Sequence, residues 1–108
     1  MKVKYHINFL CSNNLNSKDN IDYVFEVESP YLPEQGFYLA GIFVKVESSA
    51  FDVALNEAIV YGTCFVTRDR AMDEEGIIDV EKAQREALRI CAKLSEKYGL
   101  HGTYTRRK

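Results

Sequence analysis

Two segments near the N-terminus alternate apolar and polar residues, and this pattern constrains the fold more than any other feature. In the first, apolar residues occupy every second position from Val3 to Cys11. In the second, they do so from Ile21 to Val27. Alternation with a period of two is typical of strands that bury one face. The Asn- and Ser-rich stretch between the segments favours a turn, so together they predict an antiparallel hairpin.

The next apolar segment, residues 37–46, has apolar residues in both phases of a strand. Such a pattern predicts a central strand that is covered on both faces. In a small domain the second cover is either another element of the chain or a second subunit, and symmetric dimers are the commonest assembly. The predicted interface residues of this homo-oligomer, with a dimer favoured, are Phe37, Tyr38, Leu39, Ile42, Phe43 and Val44.

A short helix is predicted to follow this strand, over residues 48–58. Ser49 and Asp52 have the spacing of a capping box, and Phe51, Leu55 and Ala58 recur on one helical face. Residues 59–68 are rich in β-branched and aromatic residues, which predicts a fourth strand. Gly62 within it indicates a bulge or a close approach of backbones.

A long amphipathic helix is predicted between Asp79, which can cap its first turn, and Gly99, which can end it. Its apolar stripe comprises Val80, Ala83, Ala87, Ile90, Cys91, Leu94 and Tyr98. The resulting order is β-β-β-α-β-α. It predicts an α+β fold in which an antiparallel sheet of about four strands carries the long C-terminal helix on one face. Residues 1–108 form one domain, and 101–108 are predicted to be a flexible basic tail.

Composition and cysteine spacing exclude several classes of protein. The chain has 108 residues, 14 Lys and Arg against 16 Asp and Glu, and 46% hydrophobic residues, which are values of a globular domain. Its three cysteines are widely spaced, so neither a disulfide framework nor a thiolate zinc site is predicted. The N-terminus lacks the apolar core of a signal peptide, and no segment is apolar enough to span a membrane. We therefore expect a cytoplasmic protein without a cofactor.

Candidate groups for catalysis and metal binding are few. Cys64 is a candidate nucleophile with His6 or His101 as its base, but its position inside a strand favours a buried structural thiol. The acidic segment 69–81 fails as a calcium loop, because Glu74 stands where the required glycine would be. We predict no metal site and no catalytic residues.

Arginines follow the fourth strand and recur in the tail. Arginine is suited to bidentate contacts with carboxylates and phosphates. The predicted ligand-binding residues are Thr67, Arg68, Arg70, Arg106 and Arg107, and their ligand would be an anionic, nucleotide-like small molecule or a protein. The more ordinary interpretation is an exposed strand end held to the acidic segment by surface ion pairs, together with a frayed tail.

The sequence thus predicts a small, non-catalytic binding protein that self-associates and binds an anionic ligand or partner. One alternative is a module that binds single-stranded DNA or RNA through the basic tail, which is less favoured because the chain lacks a basic face. Another is a small enzyme that uses Cys64 or His101.

Overall fold

The computed structural model describes residues 1–12, 17–66, 79–99 and 103–106. Five strands precede one helix, and a short strand follows it, so the protein is α+β as predicted. The elements are β1 (Lys2–Leu10), β2 (Ile21–Glu28), β3 (Gly36–Leu39), β4 (Ile42–Asp52), β5 (Glu57–Phe65), α1 (Val80–Tyr98) and β6 (Thr103–Arg106).

The strands form one mixed sheet in the order β3-β4-β5-β1-β2-β6. The central pair, β1 and β5, is parallel, and all other neighbours are antiparallel. The prediction of an antiparallel sheet of about four strands is therefore wrong in strand number and in direction. The predicted tail also differs from the structure, because residues 103–106 form β6 and pair with β2.

The predicted N-terminal hairpin is confirmed. β1 and β2 are antiparallel, and Val3 lies opposite Val27 while Phe9 lies opposite Ile21. Directly opposed residues share a face, so the alternating apolar residues of both strands lie on the same side of the sheet. Asn20 closes the connection, because its Oδ1 accepts a hydrogen bond of 3.0 Å from the backbone N–H of Cys11.

The apolar segment 37–46, predicted to be one covered central strand, forms two strands at the edge of the sheet. Ala40 and Gly41 separate β3 from β4, and both have positive φ angles, of 50° and 82°. Two such residues between paired strands make the tight turn that suits the twist of a hairpin. The two apolar phases of this segment therefore belong to a folded-back hairpin and not to a strand between two layers.

The short helix predicted over residues 48–58 is also wrong. β4 continues to Asp52, a four-residue turn follows, and β5 begins at Glu57. The helical spacing of Phe51, Leu55 and Ala58 is coincidental, since residues 48–52 pair with β5, residues 53–56 form the turn and Ala58 lies in β5. Tertiary pairing of this kind overrides a weak local preference for helix.

α1 covers one face of the sheet, as predicted. The Asp79 side chain accepts a hydrogen bond of 3.1 Å from the backbone N–H of Lys82, and Gly99 ends the helix with a left-handed φ of 67°. Helix residues buried in the core are Ala83, Ala87, Ile90, Cys91 and Leu94. The sheet curls around the same core, because the rings of Tyr5 and Phe37 lie 5.2 Å apart although β4 and β5 separate their strands.

Candidate functional site

The face of the sheet opposite α1, which we call the open face, has no covering layer among the described residues. Lys2, Lys4 and His6 of β1 lie on it, together with Ile59 and Tyr61 of the neighbouring strand β5. Both of these β5 side chains are exposed although β5 lies inside the sheet. A partly apolar face on a central strand indicates a binding surface, so the open face is the first candidate region.

One end of the open face carries an apolar turn. Residues 53–56 join β4 to β5, and the Asp52 carboxylate fixes the turn by accepting a hydrogen bond of 3.2 Å from the Leu55 backbone N–H. The side chains of Val53 and Leu55 are 79% and 65% exposed. A cleft of about 720 Å³ lies between this turn and the Lys2, Lys4 and Ile59 positions. Exposed apolar side chains beside a cleft are typical of an interaction surface.

The second half of β4 forms an edge of the sheet. Residues 36–39 of β3 pair only with residues 42–45, and the Val46 backbone N–H extends this pairing by donating to the Gln35 carbonyl. Beyond that point, residues 47–52 are all exposed, and residues 48–52 pair with β5 on one side. On the other side no described strand pairs with them. Their outward backbone groups are thus available for pairing.

A β-bulge turns β4 at the start of this edge. Val46 lies opposite Gly62 and Ser48 lies opposite Tyr61, which leaves Glu47 as the extra residue. A bulge redirects the side chain of the inserted residue, and here Glu47 lines a cleft at the centre of the open face. The bulge therefore joins the free edge to the centre of the sheet face.

That central cleft, of about 400 Å³, is polar, and residues of four strands line it. Asn8 lies at its base between two cross-strand neighbours, Asp22 on β2 and Thr63 on β5. The His6 ring stacks on Tyr61 at a centroid distance of 4.9 Å. Burial and, to a smaller extent, the charge of Lys4 lower the pKa of His6, while Asp22 acts in the opposite direction. His6 is therefore neutral near pH 7 and can donate and accept hydrogen bonds.

The predicted ligand-binding residues lie mostly outside the described residues. Thr67, Arg68, Arg70 and Arg107 belong to this group, and so does His101, a candidate base of the alternative enzyme hypothesis. Arg106 is at the end of β6, where its backbone lies opposite Ile21, but its side chain is not described. The described residues therefore do not test whether these arginines come together, and the anionic-ligand site stays a prediction.

The predicted interface residues are placed in several different environments. Val44 is fully buried, whereas Leu39 and Ile42 are half-buried. Phe37 is directed to the core, where its ring meets Tyr5 edge to face. Tyr38 and Phe43 are exposed and contact each other across the hairpin, with ring centroids 5.4 Å apart. The structure thus leaves only these last two as an exposed pair.

The three cysteines are buried in the core, and Cys91 belongs to α1 itself. All three are reduced thiols. Burial raises the pKa of Cys91 to about 12, with a further contribution from the neighbouring Cys64 and Cys11 thiols. A thiol with a raised pKa is a poor nucleophile at neutral pH. Among the described residues, moreover, no three His, Cys, Asp or Glu side chains are placed to hold a metal ion.

The comparisons with known proteins add no relatives. Neither the protein-family models, nor the curated proteins, nor the solved structures gave a match to this chain. α1, the helix within the described residues, lacks the length and apolar character that crossing a membrane requires. Functional argument therefore depends on the open face and its edge.

Sequence reasoning missed the open face although a signal for it exists. The β5 sequence places Ala58, Val60 and Cys64 in one phase and Ile59 and Tyr61 in the other. Apolar residues in both phases predict a strand with two faces to cover. Residues 37–46 have the same pattern, and it is stronger there. The polar cleft has no comparable signal, because it combines side chains from four strands whose order the sequence does not state.

Proposed function

We propose that this protein is a non-catalytic binding domain that self-associates by pairing the β4 edge of one copy with the same edge of a second. The observation that carries the proposal is the free edge at residues 47–52, which are all exposed and pair only with β5 among the described strands. The burial of Cys64 and the raised pKa of Cys91 favour a non-catalytic protein.

An edge of this length favours association. Proteins usually protect an exposed edge strand with charged residues, proline, a β-bulge or a covering segment, because its free N–H and C=O groups can pair with another chain. Beyond the bulge at Glu47, residues 48–51 contain no charged residue and no proline. The exposed apolar side chains of Phe51, Val53 and Leu55 lie beside the edge, and they would lose contact with water when a second copy pairs there.

The charges along the edge select a register for this pairing. Two identical antiparallel strands related by a two-fold axis at Ala50 place Ser48 opposite Asp52, so a hydroxyl faces a carboxylate. An axis at Asp52 would instead place the two Asp52 carboxylates opposite each other, and like charges directly opposite each other are destabilising. We therefore propose the register centred on Ala50, in which the partner surface is the same surface of a second copy.

The test is the oligomeric state of the full chain and of two matched variants, measured by sedimentation equilibrium. Ala50→Lys places two lysines opposite each other on the two-fold axis. Ala92→Lys makes the same change on the exposed side of α1. We expect the unmodified protein and Ala92→Lys to dimerise equally, and Ala50→Lys to dissociate with a Kd raised at least about tenfold. A monomeric unmodified protein, or equal dimerisation of both variants, would refute the proposal.

The ligand of this binding domain is proposed to be anionic, as the arginines that follow β5 predict. This part is tested by binding of ATP, followed by isothermal titration calorimetry, to the unmodified chain and to a double variant. We expect Arg68→Ala combined with Arg70→Ala to abolish binding and to leave the far-UV circular dichroism unchanged. Retained binding in the double variant would contradict this assignment.

A further inference from the structure

The polar cleft at the centre of the open face shares Glu47 with the β4 edge, but its other lining residues lie on β1, β2 and β5. Its lining includes His6, Asn8, Asp22, Glu47, Tyr61 and Thr63. Pairing of two β4 edges would continue the sheet sideways and leave this cleft open. A ligand bound here would therefore not compete with self-association.

The side chain of Asn8 in this cleft has a buried oxygen without a hydrogen-bond partner among the described residues. Its side chain is only 7% exposed, and its Oδ1 atom accepts no hydrogen bond from the described residues. Buried polar atoms are almost always hydrogen-bonded in native proteins, so each exception requires an explanation. The Asn8 amide lies at the base of the cleft, where rotation about its last side-chain torsion can direct the oxygen outward. The missing partner is then a hydrogen-bond donor that enters the cleft.

The charged residues that line the cleft indicate which kind of hydrogen-bond donor it binds. Asp22 and Glu47 contribute two carboxylates from opposite sides of Asn8, and they come from β2 and from the bulge of β4. His6 does not offset them at neutral pH, since burial and Lys4 lower its pKa. The lysines on the open face, Lys2, Lys4 and Lys45, lie outside the lining. The described lining residues therefore carry a net negative charge, which favours a cation.

The aromatic wall favours an organic cation. Tyr61 and His6 are stacked with an interplanar angle of 26°, and Tyr61 is half-exposed. The face of a tyrosine ring attracts ammonium and guanidinium groups. A carboxylate on each side, an aromatic face and a buried carbonyl oxygen together match a group that is cationic and carries several N–H donors.

We infer that the cleft formed by Asn8, Asp22, Glu47 and Tyr61 binds the alkylammonium or alkylguanidinium group of a ligand. The carboxylates accept charge-assisted hydrogen bonds from its N–H groups, and Asn8 Oδ1 accepts a further one. The hydrocarbon part of the ligand lies against Tyr61. This ligand class is opposite in charge to the one that the arginines predict, so the two sites are distinguishable by chemistry as well as by position.

The experiment is a titration of the full chain, followed by NMR, with butylguanidinium and butylammonium. Tetramethylammonium, which has the charge without N–H donors, and butyrate serve as controls. We expect the two N–H cations to shift the signals of the Asn8 side-chain amide and the His6 ring, and the controls to leave them unchanged. Equal shifts with tetramethylammonium would overturn the role of Asn8. Shifts produced by Ca²⁺ alone would show a metal site and would overturn the ligand class.

Two conservative variants make the assignment residue-specific. Glu47→Gln removes one carboxylate charge of the cleft, and Glu96→Gln removes one from an exposed position on α1. We expect Glu47→Gln to weaken butylguanidinium binding roughly tenfold and Glu96→Gln to have no effect. Equal affinity in the two variants would refute the site. Unchanged amide signals of α1 confirm that Glu47→Gln is folded, and Ala50→Lys, which tests self-association, should bind butylguanidinium normally.

A further titration, with a short peptide as the probe, identifies the source of the cation. Acetyl-Gly-Arg-Gly-amide carries the same guanidinium group on a protein backbone. Tighter binding than that of butylguanidinium would identify a protein side chain as the ligand, and weaker binding would identify a small free cation. Either result supports the site, whereas no binding of either probe overturns it.

Discussion

Gly62 lies where three strands pack closely, so adding a side chain there should change the free energy of unfolding. It lies on β5 between β1 and β4, directly opposite the residue that precedes the bulge. A Cβ atom added at Gly62 would lie 2.6 Å from Val44 Cγ1 and 3.2 Å from Ile7 Cδ1. Favourable carbon–carbon contacts are about 3.5–4.0 Å long, so Gly62→Ala forces Val44 to move by about 1 Å.

The expected cost combines two opposing effects. Overpacking of a filled core destabilises a protein by about 1–3 kcal/mol. Replacing glycine with alanine also restricts the unfolded chain, which stabilises by about 0.4–1 kcal/mol. We therefore expect Gly62→Ala to lower the free energy of unfolding by about 1–2 kcal/mol. Equilibrium urea denaturation, followed by far-UV circular dichroism, measures this change, with tyrosine fluorescence as a second probe in a chain that has seven Tyr and no Trp.

A double-mutant cycle tests the cause of this loss. Val44→Ala alone should cost about 2 kcal/mol, because it removes two buried methyl groups and leaves a small cavity. In the double variant the new methyl group at position 62 occupies the space that Val44 vacates. The two losses should therefore sum to about 1–2 kcal/mol more than the measured loss of the double variant.

Gly41 provides the matched control for this cycle. Its Cβ would meet no atom within 4 Å, but its φ of 82° strains any other residue. Gly41→Ala should thus destabilise through the backbone alone, and Val44→Ala should add its full cost in that background. Additive losses for Gly62→Ala and Val44→Ala, or a Gly62→Ala variant as stable as the unmodified chain, would refute the packing argument.

Three further predictions concern single groups. Ala40 has a φ of 50°, so Ala40→Gly should raise the free energy of unfolding by about 0.5–1 kcal/mol in urea, and an unchanged midpoint would contradict the turn geometry. Burial raises the pKa of Cys91 from about 9 to about 12. The unfolded thiol therefore ionises first, and stability should fall by up to about 1.4 kcal/mol per pH unit above pH 9. In a Cys91→Ala variant this dependence should be weaker; an identical slope would exclude Cys91 as its source. Burial and Lys4 lower the pKa of His6, so its NMR titration midpoint should lie below 6.5, and lower still in Asp22→Asn. The contribution of neutral His6 to the free energy of unfolding is present above pH 6.5 and is lost as the pH falls. A His6 titration midpoint at or above 6.5 would contradict this prediction.

The elements that the sequence predicts correctly are those whose signals are local. The period of two in β1 and β2 depends only on neighbouring residues, and the long loop between them does not alter it. The start of α1 at Asp79 and its end at Gly99 likewise depend on capping groups within one turn. For these elements, propensity, pattern and burial agree.

The elements that the sequence misses depend on partners far along the chain. Ala40 and Gly41 do not resemble the usual Asn-Gly turn, so the sequence pattern of the β3–β4 hairpin is that of one strand. Residues 48–58 show a helical spacing over little more than two turns, which the pairing of β4 with β5 outweighs. The parallel contact of β1 with β5 has no local signature, and without it the antiparallel prediction was the simplest interpretation.

The candidate sites follow the same division. The exposed phase of β5 is visible in the sequence as a second set of apolar positions. By contrast, the bulge at Glu47 and the unpartnered Asn8 oxygen become visible only when strand register and burial are known.

The parallel pairing at the centre of the sheet has a consequence for the order in which the chain can fold. Lys2 pairs with Glu57 and Leu10 with Phe65, so during synthesis β1 waits for β5 to be made. Until then the β1–β2 hairpin exposes both its apolar face and the edge of β1. Closing such a distant pair is slow compared with forming a hairpin. We expect the nascent hairpin to need protection from aggregation during this interval, and the rate-limiting step of refolding to be the docking of β5 onto β1.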